Sequence, residues 1–378
     1  MNNPVPAPAS IRSPIGLVAA ALPVLAVLVL GVVWGRSLPG VVELLVVLVL
    51  AGSVLAAVHH AEVVAHRVGE PFGSLILAVA VTVIEVGLIL SLMTSGGSSA
   101  SSLARDTVFA AVMITCNGIV GLSLLVSALR NRIAVFNPEG TGAALATVIT
   151  LATLGLVLPS FTTSTPGPEF STPQLVFAAV VSLALYGLFV FVQNVRHRDY
   201  FLPVHPPGRP AARAGAAADD DHAPAPSPRD ALISLGLLLA ALVGVVGLAK
   251  VESPTIENAV SAAGLPQAVV GVVIALLVLL PETLAAARNA RRGRTQISLN
   301  LALGSAMASI GLTIPAISVA SIWLGGPLLL GLGATQIVLL VLTAGVGILT
   351  VMPGRATLLQ AAVHLCLCAA YLLLSANP

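Results

Sequence analysis

Two glutamates lie inside long apolar stretches of this chain. Glu85 interrupts the apolar run 75–93, and Glu282 follows the apolar residues 278–281 near the end of another run. An ionisable side chain is costly to place within a bilayer, so it usually faces a protein interior or a watery cavity on an ion or proton path. The two glutamates also occupy corresponding places in the two halves of the chain. The pair therefore predicts a site for cations, protons or both.

Paired carboxylates suit the exchange of a cation for protons. Hard cations such as Ca²⁺ take several oxygen ligands, and two carboxylates can cancel the charge of one divalent ion. Without a cation, two close carboxylates in a low dielectric repel each other and are poorly solvated, so protons replace the metal. We expect Glu85 and Glu282 to titrate as a coupled pair.

The composition predicts an all-α polytopic membrane protein around this pair. The 378 residues are 57% hydrophobic and only 8% charged, and the mean hydropathy is +1.03. A membrane-spanning helix needs about 20 apolar residues. By that measure the sequence contains eleven spans, at 15–35, 39–60, 72–94, 106–128, 142–160, 173–194, 231–250, 266–288, 297–319, 329–351 and 356–375.

The distribution of positive charge predicts the orientation of these spans. With eleven spans, all Lys and Arg residues except Arg36, Arg105 and Lys250 fall on the side of the N-terminus. Because cytoplasmic loops carry the excess of positive charge, the N-terminus is expected in the cytoplasm and the C-terminus outside. The expected location is the inner (cytoplasmic) membrane.

The span count divides the chain into two halves of opposite orientation. Residues 1–38 form a tail and first span, 39–195 and 231–378 are two five-span repeats, and 196–230 is a Pro-rich, acidic cytoplasmic linker. Because five is odd, the second repeat enters the membrane from the opposite side, as in the inverted repeats of many transporters. Pro281 lacks a backbone donor, so it is expected to break its helix beside Glu282.

Two stretches of the sequence resemble the signatures of the calcium/cation antiporter superfamily, specifically its ChaA-like cation–proton branch. They are Gly69-Glu70-Pro71-Phe72-Gly73 with Val83-Ile84-Glu85, and Pro281-Glu282-Thr283 followed by residues 296–306 and 309–315. The resemblance extends from about residue 40 to the end of the chain. It implies an exchanger of Ca²⁺, Na⁺ or K⁺ against protons.

The same resemblance implies the ligands. By position, Glu85 and Glu282 would hold the metal or proton at the repeat interface, with Asn117, Ser305 and Ser309 completing the site. The first repeat departs from the wider pattern, since no Gly-Asn precedes its glutamate and no Gly-Ser-Asn follows in the next helix.

A second group of polar residues lies near the cytoplasmic end of the second span. It comprises His59, His60, Glu62, His66 and, beyond them, Glu70. Helical spacing places His59, Glu62 and His66 on one face. The group suits cation access from the cytoplasm or pH sensing, because histidine titrates near neutral pH. A structural metal and a group with no special role are the other interpretations, and the His-Glu-x-x-His spacing of metalloproteases is absent.

The leading hypothesis is a secondary cation–proton antiporter, which is not an enzyme and needs no cofactor. One alternative is a cation channel or uniporter that uses the same acidic pair, although filters are usually rings built by several subunits. A more distant alternative is an intramembrane metal-dependent hydrolase. The expected partners are inorganic cations, protons and the lipid bilayer, with no nucleic acid. The sequence leaves the cation and the oligomeric state open.

Overall fold

The computed structural model describes residues 14–36, 38–69, 72–95, 101–204, 226–323 and 327–378. Its α-helices and two short strands follow one another as α1 (Pro14–Val33), α2 (Gly40–Val68), α3 (Phe72–Ser95), α4 (Leu103–Met113), α5 (Val120–Asn131), β1 (Ala134–Val135), α6 (Pro138–Ala152), α7 (Thr172–Phe191), α8 (Pro228–Ala262), α9 (Ala268–Val278), α10 (Leu280–Arg291), α11 (Thr295–Ala320), α12 (Ala334–Val351), β2 (Arg355–Ala356) and α13 (Leu358–Ala376).

The predicted all-α membrane architecture is confirmed. Among the described residues, ten helices are long and apolar enough to cross a membrane, and the bent pair α9–α10 makes an eleventh if it is one span. A π-helical turn at Ile114–Ile119 joins α4 to α5 within one span. Further π turns at Thr153–Val157 and Val192–Arg196 extend α6 and α7.

Two helices run well beyond their predicted ends. α2 continues to Val68 instead of residue 60, and α8 continues to Ala262 instead of residue 250. The prediction followed apolar content, but both extensions pack against neighbouring helices, since Val63 of α2 and Val260 of α8 are buried. Polar residues in these extensions therefore remain helical.

The break beside Glu282 occurs where the sequence predicts it. α9 and α10 meet at Leu279 with a bend of 51°. Pro281 occupies the first turn of α10, where its missing N–H is tolerated. The same absence removes the helical donor of the Leu277 carbonyl, so a continuous helix is disfavoured at this point.

The first part of the predicted linker is folded. A 3₁₀ turn at Arg198–Phe201 buries Phe201, whose ring packs edge to face against Phe189 at 5.7 Å between centroids. The Asn300 amide donates to the Phe201 carbonyl at 2.7 Å. The acidic run 219–221 lies outside the described residues.

The helices pack around two main hydrophobic cores. One core joins α1, α2, α3, α8 and one set of residues along α9, and the other joins α4–α7 with α10–α13 and a second set of residues of α9. We call α1, α2 and α8 the outer bundle. Gly244 of α8 lets this bundle close tightly, because a Cβ there would lie 2.7 Å from the Cβ of Ala26.

Helix and loop contacts occur in corresponding pairs in the two halves. α3 packs against α11, and α9 packs against α4. β1, which precedes α6, pairs with β2, which precedes α13, while Glu169, before α7, bridges Leu329, before α12. Each of these contacts in one half of the chain therefore has a counterpart in the other half.

These loop contacts also define two faces of the molecule. One face carries β1 and β2, and the Arg130 guanidinium donates there to the Arg291 carbonyl. We call it the arginine-rich face. The opposite, arginine-poor face carries Arg105, which donates to the Gly331 carbonyl at 3.3 Å, and Ser101, whose carbonyl accepts from Leu329 N.

Candidate cation site

Glu85 is held in the middle of the molecule by two hydroxyl groups from the other half of the chain. Its side chain is 3% exposed. Ser309 Oγ donates to Glu85 Oε1 at 2.5 Å, and Thr313 Oγ1 donates to Oε2 at 3.1 Å. Ser309 and Thr313 are four residues apart on α11, so both face α3 where the helices cross. Both carboxylate oxygens thus have donors, and no positively charged side chain among the described residues pairs with them.

A small cavity adjoins this carboxylate. Small side chains and the break between α9 and α10 leave the space. Its lining consists of Val81, Thr82, Glu85, Ala111, Ala275, Val278, Leu279, Ser305, Ala308 and Ser309. Thr82 and Ser305 add hydroxyl groups, so with the Glu85 carboxylate the wall carries four oxygen-bearing side chains. This is a ligand set for a hard cation.

Glu282 lies at the start of α10, just beyond the helix break, and it is partly exposed. Its Oε2 atom is buried and has no hydrogen-bond partner among the described residues. Its carboxyl is close enough to Glu85 and Glu62 to interact with both electrostatically. Glu282 is not among the residues that line the cavity beside Glu85. The two carboxyls therefore lie within electrostatic range of each other, but they do not share that cavity.

Asn117 belongs to a different polar group. It lies on the π turn between α4 and α5, where its Nδ2 donates to Thr343 Oγ1 at 2.9 Å. Its Oδ1 lies 3.2 Å from His364 Nδ1, and His364 Nε2 lies 3.2 Å from Thr350 Oγ1. Because an amide oxygen only accepts, His364 Nδ1 is the donor in this contact. Asn117 therefore links α4–α5 to α12 and α13, away from the lining of the Glu85 cavity.

The histidine group near the end of α2 is spread over several environments. His60 is buried and its Nε2 lies 3.0 Å from the Ala19 carbonyl of α1, with the His59 ring edge-on at 5.4 Å between centroids. Glu62 and His66 are exposed, and Glu62 lies within electrostatic range of Arg288. Glu70 lies outside the described residues. Among the residues described, no three His, Cys, Asp or Glu side chains are grouped to hold a metal.

Sequence reasoning missed Thr82 and Thr313 as candidate site residues. Thr313 was part of the resembling motif, and its spacing of four from Ser309 was the available signal. Thr82 precedes Glu85 by three residues, which also places it on the same helix face. Hydroxyl residues one helical turn from a membrane carboxylate, as Thr82 is, or from a predicted ligand, as Thr313 is, are therefore the signal to follow.

A sequence profile described as the sodium/calcium exchanger protein family matches residues 38–195 and 233–377. The chain is 48% identical over 334 residues to the putative ionic transporter y4hA of Sinorhizobium fredii, covering 87% of each chain. It is 35% identical over 355 residues to the sodium-potassium/proton antiporter ChaA of Escherichia coli, covering 93% of this chain and 94% of that one.

Solved structures share the fold. Native YfkE matches with a TM-score of 0.70 at 15% identity, covering 96% of this chain and 99% of that one. The H⁺/Ca²⁺ exchanger CAX matches with a TM-score of 0.63, also at 15% identity, covering 95% and 91%. At this level of identity the likeness concerns the fold alone.

Proposed function

Because the chain belongs to the sodium/calcium exchanger protein family, we propose that it exchanges Ca²⁺, Na⁺ or K⁺ for protons at one site built on Glu85 and Glu282. It is a multi-pass secondary transporter and not an enzyme. The name of the Escherichia coli relative specifies Na⁺, K⁺ and protons, and a matching structure is an exchanger of protons and Ca²⁺. Cation–proton antiport is common to both, and the cation is the part that differs.

The observation that carries this proposal is the position of Glu85, buried at a crossing of the two halves and facing hydroxyl groups beside a cavity. A carboxylate there is costly unless its charge is neutralised. A cation neutralises it and takes the hydroxyl oxygens as further ligands, whereas a proton neutralises it and leaves the hydroxyls as hydrogen-bond partners. The two occupants therefore exclude each other, which couples their transport.

Glu282 supplies the second carboxylate of the proposed site. Its Oε2 is buried with no hydrogen-bond partner among the described residues, and its carboxyl lies within electrostatic range of Glu85; both support this role. Ser305 and Ser309 are retained as ligands, and Thr82 and Thr313 are added. Asn117, whose amide contacts Thr343 and His364, is not retained as a ligand of this site.

Spans two to six and seven to eleven form the inverted repeat in this proposal. The paired contacts of α3 with α11 and of α9 with α4 support it. The outer bundle would slide against the other helices and expose the site to each side of the membrane in turn. Most of its hydrophobic core is separate from the core of α4–α7.

The arginine-rich face is the cytoplasmic one in this proposal, and the protein resides in the inner membrane. Positive charges favour the cytoplasmic side. Glu62, exposed at that face and within electrostatic range of Glu282, supports cation access there. His59, His60 and His66 remain candidates for pH sensing.

The two alternative functions, a cation channel and an intramembrane hydrolase, agree with the comparisons and the site less well than an antiporter does. The named relatives are antiporters or ionic transporters, and among the described residues no three His, Cys, Asp or Glu side chains are grouped to hold a metal. The decisive experiment follows proton-gradient collapse in inside-out vesicles on addition of CaCl₂, NaCl or KCl, comparing wild type with Glu85→Gln and Glu282→Gln. Glu139→Gln, at an exposed carboxyl on the arginine-rich face, is the matched control.

We expect cation-dependent collapse in wild type and in Glu139→Gln, and its loss in the other two variants. Wild-type behaviour of the Glu85 and Glu282 variants would contradict the proposed site. Cation flux without proton movement would instead favour a channel.

A further inference from the structure

Two glutamates outside the proposed transport site lie between α2 and α8 at the arginine-poor face. Glu43 is in the first turn of α2, and Glu252 is in the C-terminal extension of α8. We call them the outer pair. Both belong to the outer bundle, and the proposed transport chemistry uses neither.

Glu252 is a fully buried carboxyl in the outer bundle. It is 0% exposed, and neither of its oxygens has a hydrogen-bond partner among the described residues. The ion pair that the described residues contain, Arg105 with Asp106, does not involve it. Lys250, two residues away, is exposed. An uncompensated buried carboxylate is strongly unfavourable, so a proton or a cation must neutralise it.

Glu43 brings a second carboxylate to the same side of α8. Thr255 Oγ1 donates to Glu43 Oε1 at 3.2 Å. Thr255 follows Glu252 by three residues, so both project from one side of the helix. Glu43 and Glu252 are close enough for their charges to interact. Ser253 and Glu257 form a separate hydrogen-bonded pair at 3.3 Å.

We propose that the outer pair, with the Thr255 hydroxyl, binds a hard cation of the Ca²⁺ class at the arginine-poor face, separately from the Glu85–Glu282 site. Two carboxylates and a hydroxyl are ligands such an ion prefers, with water completing its shell. The cation removes both the repulsion between the carboxylates and the unpaired charge of Glu252. Because α2 and α8 belong to one bundle, the outer site persists whichever way the transport site opens.

The test measures equilibrium binding of ⁴⁵Ca²⁺ to the purified full-length chain in detergent. The background is Glu85→Gln with Glu282→Gln, so that failure of the proposed transport site cannot be mistaken for failure of the outer site. We expect this background to bind Ca²⁺, and the added Glu252→Gln or Glu43→Gln to weaken that binding at least tenfold. Glu169→Gln, at a carboxyl on the same face, is the control and should leave it unchanged.

Unchanged binding in both Glu252→Gln and Glu43→Gln would overturn the proposal, and so would a background that binds no Ca²⁺. The second result would mean that Glu252 holds a proton only. Thermal unfolding verifies that each variant is folded. If Glu252→Gln does not fold, Glu43→Gln decides alone, because the Glu43 side chain is partly exposed and tolerates the change.

Discussion

The hydroxyl of Ser309 donates to the carboxylate of Glu85 at 2.5 Å, although 224 residues separate the two in the chain. This bond joins α3 to α11, the helices that carry the two resembling motifs. Any movement of α3 relative to α11 changes the ligands around Glu85. The coordination of the site is therefore tied directly to the packing of the two halves.

Removal of the hydroxyl groups around Glu85 should weaken cation binding. Ser309→Ala and Thr313→Val each delete one hydrogen bond to a carboxylate, of a kind that contributes about 1.5–3 kcal/mol. We expect the KM for the transported cation to rise by roughly tenfold or more, since 1.4 kcal/mol corresponds to a factor of ten. Proton-coupled cation uptake into vesicles measures this.

Ser318→Ala is the matched control for those variants. Ser318 lies on the same helix, but its hydroxyl donates to the Ile314 carbonyl and not to Glu85. The KM of the Ser318→Ala variant for the transported cation should stay within twofold of the wild-type value. Equal effects of Ser309→Ala and Ser318→Ala would show that helix stability, and not the Glu85 contact, determines the change.

Asn117→Ala distinguishes a packing role from a ligand role. The substitution removes the Asn117 partner of Thr343 Oγ1 and of His364 Nδ1, and a buried polar atom left unsatisfied costs about 1–3 kcal/mol. We expect a lower unfolding temperature in detergent and a nearly unchanged KM. A tenfold rise in KM with unchanged stability would instead support the ligand role that the family resemblance implies.

The crossing of α9 and α4 should be intolerant of added volume. A Cβ at Gly271 would lie 2.9 Å from the carbonyl carbon of Asp106 and from Thr107 N, both of which are backbone atoms. Gly271→Ala should therefore push the helices apart and reduce both transport and the unfolding temperature. Gly236→Ala places the new Cβ in open space, so it should leave both transport and the unfolding temperature unchanged. Equal tolerance at both positions would contradict the described crossing.

Glu62→Gln tests cation access from the arginine-rich face. Loss of this exposed carboxylate should raise the KM a few-fold for cations added at that face, because a local negative potential concentrates them. Salt screens exposed charges, so the effect should fade at high ionic strength. Cations added from the opposite face should show the wild-type KM. A symmetric effect from both faces would place Glu62 in the shared transport site.

Much of this arrangement could be predicted from the sequence because membrane helices are encoded locally. Apolar length gives the spans, the distribution of arginine separates the two faces, and the burial of Glu85 follows from its place within an apolar run. Pro281 likewise predicts the break at Leu279 through its missing donor. Apolar content could not reveal that α2 and α8 continue through polar residues, since packing against neighbouring helices decides that.

The sequence by itself determined the all-α membrane architecture, the two glutamates and the helix break, because each depends on residues within a few turns of one another. The tertiary structure decided the partners. In it, Ser309 and Thr313 donate to Glu85, and Asn117 contacts His364 and Thr343. Glu252 is buried with no hydrogen-bond partner among the described residues. Helical spacing gives the face on which a side chain lies, but only the packing of distant helices sets what that face meets.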